Sequence, residues 1–244
     1  MRAFLLSLAL AVLGAVHAHA ETARIAVAAN FAGAMERLEA TFEAAGEHEI
    51  EISLGSTGQL YAQIVNGAPF DAFLSADQAR PKTLVEEGLA VPDSQFTFAE
   101  GRLFLRVARA SYLGPDGHPV FDRIGRIALA NPRTAPYGAA AQQVLASLGV
   151  EGPQLAQAQS VQGVAAVVEL GAADAGFVAY SSVAPLIPVL PAGWLVPGGL
   201  HDPLRQDAVL LTRGQDNAAA RAFLDWLAGT EARRIVQGFG YDVD

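Results

Sequence analysis

The chain contains no cysteine among its 244 residues. Disulfide bonds, thiolate metal sites and cysteine nucleophiles are therefore excluded together. Because 52% of the residues are hydrophobic, we expect a large apolar core to supply the stability that disulfides give many exported domains. The length fits one large domain or two small ones.

Basic residues are scarce. The chain has 16 Lys and Arg against 25 Asp and Glu, which leaves a formal net charge of −9. Phosphate backbones and anionic lipid surfaces repel a protein of this charge, so we expect neither nucleic acid nor a membrane surface as a partner. Any anion that the chain binds must be held by local dipoles and not by net charge.

No long, apolar and uncharged stretch follows the first twenty residues. Met1 and Arg2 form a short basic start, residues 3–16 are mostly apolar, and residues 18–20 (AHA) fit the small-x-small rule for signal cleavage. The apolar run is too short to span a bilayer comfortably. We therefore predict that residues 1–20 are a signal peptide cleaved after about Ala20, and that the mature protein is periplasmic without stable membrane insertion.

Catalytic motifs are missing as well. The sequence has no GxSxG, GxxxxGK[ST], GxGxxG or HExxH pattern. After cleavage only His48, His118 and His201 remain; they lie far apart in sequence, and each is best interpreted as a surface residue. An exported hydrolase that uses Ser56 or Ser75 is the less favoured alternative, because no candidate base lies near either serine in sequence. We therefore do not expect an enzyme.

The sequence does contain an alternation of short apolar runs and amphipathic segments. Its first part reads strand, helix, strand, helix, strand, which is the pattern of a parallel sheet with crossover helices. A second series begins near Leu103, and residues 207–212 read as a strand that returns to the first series. We predict an α/β protein with two lobes, each a mostly parallel sheet flanked by helices, and a ligand in the cleft between them. The predicted division is residues 21–101 and 205–244 for lobe 1 and residues 102–204 for the inserted lobe 2.

Four strand-to-helix junctions could contact a ligand. They are Asn30, Ser56-Thr57, Pro136-Tyr137 and Ser160-Val161. Ligands of open parallel sheets bind outside the carboxyl ends of the strands, and helix N-termini attract anions. Arg133 is the only charged residue that we expect near these junctions. Each turn alone is more simply explained as a helix cap, but a cleft that collects all four would hold an anion with oriented dipoles.

Five segments resemble the periplasmic molybdate-binding proteins of ABC importers, which have the type II periplasmic binding protein fold. They are residues 26–31 (AVAANF), 55–77 (GSTGQLYAQIVNGAPFDAFLSAD), 100–103 (EGRL), 130–138 (ANPRTAPYG) and 161–181 (VQGVAAVVELGAADAGFVAYS). The most specific feature is the GAP-D-F-SAD pattern at this distance behind a Ser/Thr-rich turn. The resemblance covers nearly the whole mature chain, from about residue 24 to residue 241.

The resemblance implies a receptor that binds molybdate, and also tungstate, and delivers it to a membrane permease. The residues that it places at the oxyanion are Asn30, Thr57, Tyr137 and Val161, with Ser56 and Tyr180 as secondary contacts. Molybdenum is then present only as the bound oxyanion, no other cofactor is expected, and the protein is expected to be a monomer. A receptor for another tetrahedral oxyanion, such as sulfate, is the main alternative. An iron receptor of this fold would need clustered tyrosines, and the five in this chain are scattered.

Overall fold

Two five-stranded sheets organise the protein, and the computed structural model describes residues 20–186 and 191–243. In chain order the strands are β1 (Thr22–Ala28), β2 (Glu49–Gly55), β3 (Ala72–Leu74), β4 (Phe96–Gly101), β5 (Leu103–Val107), β6 (Arg126–Ala130), β7 (Gln154–Ala158), β8 (Ala175–Ala179), β9 (Gly193–Leu195) and β10 (Leu204–Leu210). The helices are α1 (Ala32–Ala45), α2 (Thr57–Val65), α3 (Ala79–Glu86), α4 (Pro136–Ser147), α5 (Val161–Glu169), α6 (Ala218–Leu227) and α7 (Thr230–Gly238). Two short 3-10 turns also matter here, Ala29–Phe31 after β1 and Tyr180–Ser182 after β8.

The two sheets have the same mixed pattern of strand directions. The first has the order β2-β1-β3-β10-β4 and the second β7-β6-β8-β5-β9. Within them, β1 is parallel to β2 and β3, and β6 is parallel to β7 and β8. Antiparallel pairs form where the chain enters or returns to a sheet, through β5 in the second and β10 in the first. The sequence prediction of a two-lobed α/β fold is confirmed.

The chain crosses between the sheets at two adjacent places. The first crossing is Arg102, which lies between β4 of the first sheet and β5 of the second. The return leads into β10, where Leu204 pairs with Gly101 at the end of β4. The predicted lobe limits at residues 101 and 204 fall at these crossings; as domain boundaries they stay a prediction.

Each lobe has its own apolar core because apolar residues repeat with the period of the element that carries them. In the first lobe, Ile25 of β1 packs in one cluster with Met35, Leu38 and Phe42 of α1. In the second lobe, Leu105 belongs to a separate cluster that also contains residues of α4, α5 and β8. Full burial of one such side chain contributes about 1.5–3 kcal/mol. Each sheet is therefore stabilised by burial of its own set of apolar side chains.

Several strand limits differ from the sequence pattern. Strand β1 ends at Ala28, so Asn30 lies in a 3-10 turn, and β8 ends at Ala179, so Tyr180 begins another such turn. The returning strand β10 begins at Leu204, three residues before the predicted Asp207. Burial continues through these short turns, and hydrophobicity alone therefore cannot show where a strand ends.

Within the described residues, no helix is both long enough and apolar enough to cross a membrane. The predicted signal peptide lies outside the described residues except for Ala20, which precedes β1.

Candidate functional site

The carboxyl ends of strands from both sheets meet between the lobes. Ala28 ends β1, Ala76 follows β3, Ala130 ends β6 and Ala179 ends β8, and all four belong to one buried apolar cluster. Alanine side chains are small, so the main chains that follow these strands can approach one another closely. Each of the four predicted junctions follows one of these strands or a strand that pairs with it.

Asn30 lies in the turn Ala29–Phe31 and is 7% exposed. Its Nδ2 atom donates to Gln206 Oε1 at 2.7 Å and to the Tyr241 hydroxyl at 3.1 Å. An amide nitrogen carries two hydrogens, so both are already used by protein acceptors. In this arrangement, the donor that Asn30 has left for an anion is its main-chain N–H.

Ser56 and Thr57 have different roles at the start of α2. The Ser56 hydroxyl donates to Gln59 Oε1 at 2.8 Å, and the Ser56 N–H donates to the same oxygen at 3.2 Å. Ser56 therefore caps the helix. The Thr57 hydroxyl oxygen accepts a bond from the Ala76 N–H at 3.1 Å, and the Thr57 residue is 1% exposed. Because a hydroxyl can accept and donate at once, Thr57 keeps its own proton for a ligand.

Tyr137 and Val161 lie in the first turns of α4 and α5. The first N–H groups of a helix have no acceptor within the helix and carry the positive end of its dipole. Across residues 20–186 and 191–243, the N–H groups of Thr57, Tyr137 and Val161 donate to no protein acceptor. Pro136, at the first position of α4, has no N–H to contribute. Three helix starts therefore offer N–H groups for an anion.

The Tyr137 side chain connects this site to the first lobe. Its hydroxyl accepts a bond from Gln206 Nε2 at 3.3 Å, and the ring is 2% exposed. Burial raises the pKa of Tyr137 well above its ordinary value, so the phenol stays neutral. Gln206 is fully buried and stands where the register between β10 and β4 shifts, next to Asp207. Such an irregularity turns a side chain out of the regular strand pattern.

Gln206, Tyr241 and Ser181 are buried polar residues at this site that sequence reasoning missed. The Tyr241 hydroxyl donates to the main-chain oxygen of Asn30 at 2.7 Å, and the Ser181 hydroxyl donates to the same oxygen at 2.9 Å. The only signals in the sequence were a glutamine at the edge of an apolar strand and a tyrosine in the tail.

The lobes also contact each other beside Thr57. The Gly58 N–H donates to the Thr134 main-chain oxygen at 2.8 Å, and Arg80 Nη2 donates to the Arg133 main-chain oxygen at 3.2 Å. The prediction that Arg133 is the only nearby charge is wrong, because Arg80 reaches this junction from α3. Arg80 forms an ion pair with Asp77, whose carboxylate balances the charge of the guanidinium. The Thr134 hydroxyl oxygen is buried and has no partner among the described residues.

Tyr180, one of the two predicted secondary contacts, has its ring at the crossing between the lobes. Its ring lies under the Arg102 guanidinium, whose carbon is 4.7 Å from the ring centre. The opening beside Asn30 and Val161 is lined by Ser181 and its neighbours but not by Tyr180. Tyr180 therefore packs at the crossing between the lobes.

Within residues 20–186 and 191–243, no histidine is hydrogen-bonded to either candidate serine. The Ser75 hydroxyl donates to Asp77 Oδ1 at 3.2 Å, and Ser56 caps α2. His48 accepts from the Glu21 N–H, and the ring of His118 lies beside Trp194. No cluster of three or more His, Asp or Glu side chains suited to a metal ion occurs within the described residues.

A two-lobed α/β protein with helix N-termini gathered between its lobes is the architecture of a solute receptor that closes around its ligand. The chain belongs to the bacterial extracellular solute-binding protein family, whose model matches residues 23–242.

Two curated relatives and one solved structure specify the similarity. The chain is 43% identical to the molybdate-binding protein ModA of Azotobacter vinelandii, over 92% of this chain and 91% of that protein. It is 41% identical to the molybdate-binding protein ModA of Rhodobacter capsulatus, over 99% and 96% of the two chains. The solved periplasmic molybdate-binding protein of Azotobacter vinelandii superposes with a TM-score of 0.85 at 36% identity, over 91% of this chain and 99% of that one. The resemblance stated from the sequence is thereby confirmed.

Proposed function

We propose that this protein is a periplasmic receptor that binds molybdate, and also tungstate, and delivers the anion to the membrane permease of an ABC importer. The observation that carries the proposal is the set of unpaired N–H groups at Thr57, Tyr137 and Val161 beside the free hydroxyl proton of Thr57. The names of the relatives that match almost the whole chain point to the same anion.

The proposed site neutralises a dianion without a basic side chain. Thr57 donates through its hydroxyl and its N–H, and Asn30, Tyr137 and Val161 donate through N–H groups. Dipoles fixed in a buried cavity act more strongly than they would in water, because the surrounding dielectric is low. The net charge of −9 does not prevent binding, since the field at three helix starts is local.

Delivery to a permease requires the anion to be held and then released. The donors belong to both lobes: Asn30 and Thr57 follow strands of the first sheet, and Tyr137 and Val161 follow strands of the second. The anion therefore joins the lobes when it binds, and separation of the lobes removes half of its donors. We propose that the mature protein, released from its signal peptide after about Ala20, works in this way as a monomer.

A thermal-shift panel of oxyanions tests this function. Molybdate and tungstate should raise the melting temperature strongly, because a ligand at 1,000 times its Kd stabilises the folded state by about 4 kcal/mol. Sulfate, phosphate and chloride serve as comparisons at the same ionic strength. A melting temperature that no oxyanion changes would contradict the proposal. Turnover of generic ester substrates would point to the hydrolase alternative.

A further inference from the structure

The C-terminal tail after α7 is fixed at the crossing between the lobes. Asp242 exchanges two main-chain hydrogen bonds with Glu100 of β4, at 2.7 and 2.9 Å. The Gly240 oxygen accepts from Arg102 Nε at 3.1 Å and from Arg102 Nη2 at 3.0 Å. Gly240 has a φ of +80°, and a Cβ there would lie 2.8 Å from the ring of Tyr180. Only glycine fits at this position, so the residue that follows, Tyr241, has a defined place.

Tyr241 packs in the apolar core of the first lobe and is 3% exposed. Its ring packs on Phe31, with ring centres 5.2 Å apart. Its hydroxyl lies 2.7 Å from the Asn30 main-chain oxygen, 3.1 Å from Asn30 Nδ2 and 3.0 Å from the Ser181 hydroxyl. Asn30 follows a strand of the first sheet and Ser181 a strand of the second. The phenol therefore bonds to Asn30 of the first lobe and contacts the Ser181 hydroxyl of the second.

We propose that Tyr241 is a positioning residue for anion binding, which orients the Asn30 turn and holds the lobes closed through Ser181. We call Asn30, Ser181 and Tyr241 the interlobe latch. This inference rests on the proposed function, and it adds that the tail, which supplies none of the proposed anion donors, sets how long the anion stays bound.

The latch acts on the closed state for a geometric reason. Asn30 Nδ2 and the Asn30 main-chain oxygen are held by the same hydroxyl, so the orientation of the whole turn depends on it. The bond from the Ser181 hydroxyl to the Asn30 main-chain oxygen crosses between the lobes, as does the contact of Ser181 with the Tyr241 hydroxyl, and both are lost when the lobes separate. Bonds that form only after closure slow the release of the ligand and leave its arrival almost unchanged.

The test is Tyr241→Phe, which keeps the ring against Phe31 and removes only the hydroxyl. Tyr112→Phe is the matched control, since the Tyr112 hydroxyl also donates to a protein acceptor, Asp174 at 2.8 Å, but takes no part in the latch. Stopped-flow and calorimetric measurements with molybdate should show a Kd raised about tenfold to a hundredfold in Tyr241→Phe. This change should arise from a faster dissociation rate, and the association rate should stay within about threefold of wild type. Tyr112→Phe should match wild type in both rates.

Ser181→Ala completes a double-mutant cycle. Because the two hydroxyls are in direct contact in the closed protein, their effects on the dissociation rate and on the urea midpoint of the molybdate-saturated protein should be non-additive. Unchanged molybdate kinetics in Tyr241→Phe would overturn the inference while leaving the proposed function intact. Additive effects in the cycle would overturn it too. If the wild-type protein binds no oxyanion, the proposed function itself fails and this inference fails with it, an outcome distinct from unchanged kinetics in Tyr241→Phe.

Discussion

The hydroxyl oxygen of Thr57 lies 3.1 Å from the main-chain nitrogen of Ala76 and accepts its hydrogen bond. This bond joins the start of α2 to the chain that leaves β3, and it determines which way the hydroxyl proton can point. With one lone pair used by Ala76, the proton is directed elsewhere, and the proposed anion is its natural acceptor. The side chain therefore has a structural role at Ala76 and, in the proposed site, is also a donor to the anion.

Thr57→Val should separate affinity from local structure when it is compared with Thr57→Ser. Valine leaves the buried Ala76 N–H without an acceptor, which costs about 1–3 kcal/mol of unfolding free energy. It also removes a bond to a charged ligand, so molybdate affinity should fall roughly tenfold to a hundredfold. Serine keeps both bonds and should stay near wild type. Calorimetry and urea unfolding measure the two quantities. If valine lowers the stability while molybdate affinity is retained, the Thr57 hydroxyl bonds to Ala76 and not to the anion.

Gly58→Ala should hinder closure of the cleft. A Cβ at Gly58 would lie 2.9 Å from the Cα of Thr134 in the other lobe. We expect molybdate to reduce the radius of gyration of the wild type, and to do so much less in Gly58→Ala, with affinity lowered about tenfold or more. Small-angle scattering with and without molybdate measures this.

The control for Gly58→Ala is Gly163→Ala in the first turn of α5. A Cβ at Gly163 would meet its nearest neighbour, Ala158 Cβ, at an ordinary 3.6 Å. This variant should close like the wild type. A wild-type scattering profile that does not change at saturating molybdate would rule out closure altogether.

Thr134→Val should stabilise the ligand-free protein. The Thr134 hydroxyl is buried without a partner, and replacing an unsatisfied hydroxyl by a methyl group of the same shape removes a penalty of about 1–3 kcal/mol. Thr97→Val is the opposite case, because the Thr97 hydroxyl donates to Asp207 at 2.7 Å and its loss should be destabilising. Urea unfolding compares the two variants. A loss of stability in Thr134→Val would mean that the hydroxyl has a partner in solution.

Alkaline pH should destabilise the protein through its two buried tyrosines. Burial raises the pKa of Tyr241 from 10.0 to about 12 and the pKa of Tyr137 well above 10.0. The stability that these phenols contribute is fully present below pH 10, and it is lost as pH rises toward about 12, because the unfolded chain releases protons that the folded chain retains. The slope is about 1.4 kcal/mol per pH unit for each tyrosine.

Urea unfolding above pH 10 and tyrosinate absorbance measure this effect. Tyr241→Phe should reduce the pH dependence by about half, since one of the two buried phenols is then absent. Titration of all five tyrosines together near pH 10 would show that neither phenol is protected in the folded protein.

The sequence predicted the helix starts of the proposed site and missed the buried residues behind them. Thr57, Tyr137 and Val161 could be found because helix starts after apolar strands have a local signature. Gln206 and Tyr241 could not, because they contact Asn30 from 176 and 211 positions away along the chain. No local pattern carries that information; it depends on where β10 and the tail return to the first lobe.

Tyr180 shows the same limit in another way. The resemblance implied that it is a secondary contact, yet its ring lies under Arg102 at the crossing. The strand ends at Ala179, and the 3-10 turn that follows directs the neighbouring Ser181 hydroxyl to Asn30 instead. The strand-to-turn boundary decides which hydroxyl faces the site, and hydrophobic periodicity does not resolve boundaries of one residue.

Selectivity among oxyanions follows from the donors of the proposed site. Molybdate, tungstate and sulfate are unprotonated dianions at neutral pH, whereas phosphate keeps a proton that needs an acceptor. The proposed site includes no buried carboxylate that could accept this proton. Glu36, which lines the opening beside Asn30, is exposed to solvent. A phosphate hydroxyl without an acceptor would cost about 1–3 kcal/mol. Sulfate is smaller than molybdate, so donors fixed at strand ends would hold it with stretched bonds, which weaken steeply with distance.

Competition calorimetry against molybdate tests the central claim most directly. Tungstate should displace molybdate at a similar concentration, and sulfate and phosphate should do so only at concentrations more than about a hundredfold higher. Thr57→Val, measured alongside, shows whether the heat arises at the proposed site. Sulfate binding within tenfold of molybdate would contradict the account and identify a sulfate receptor.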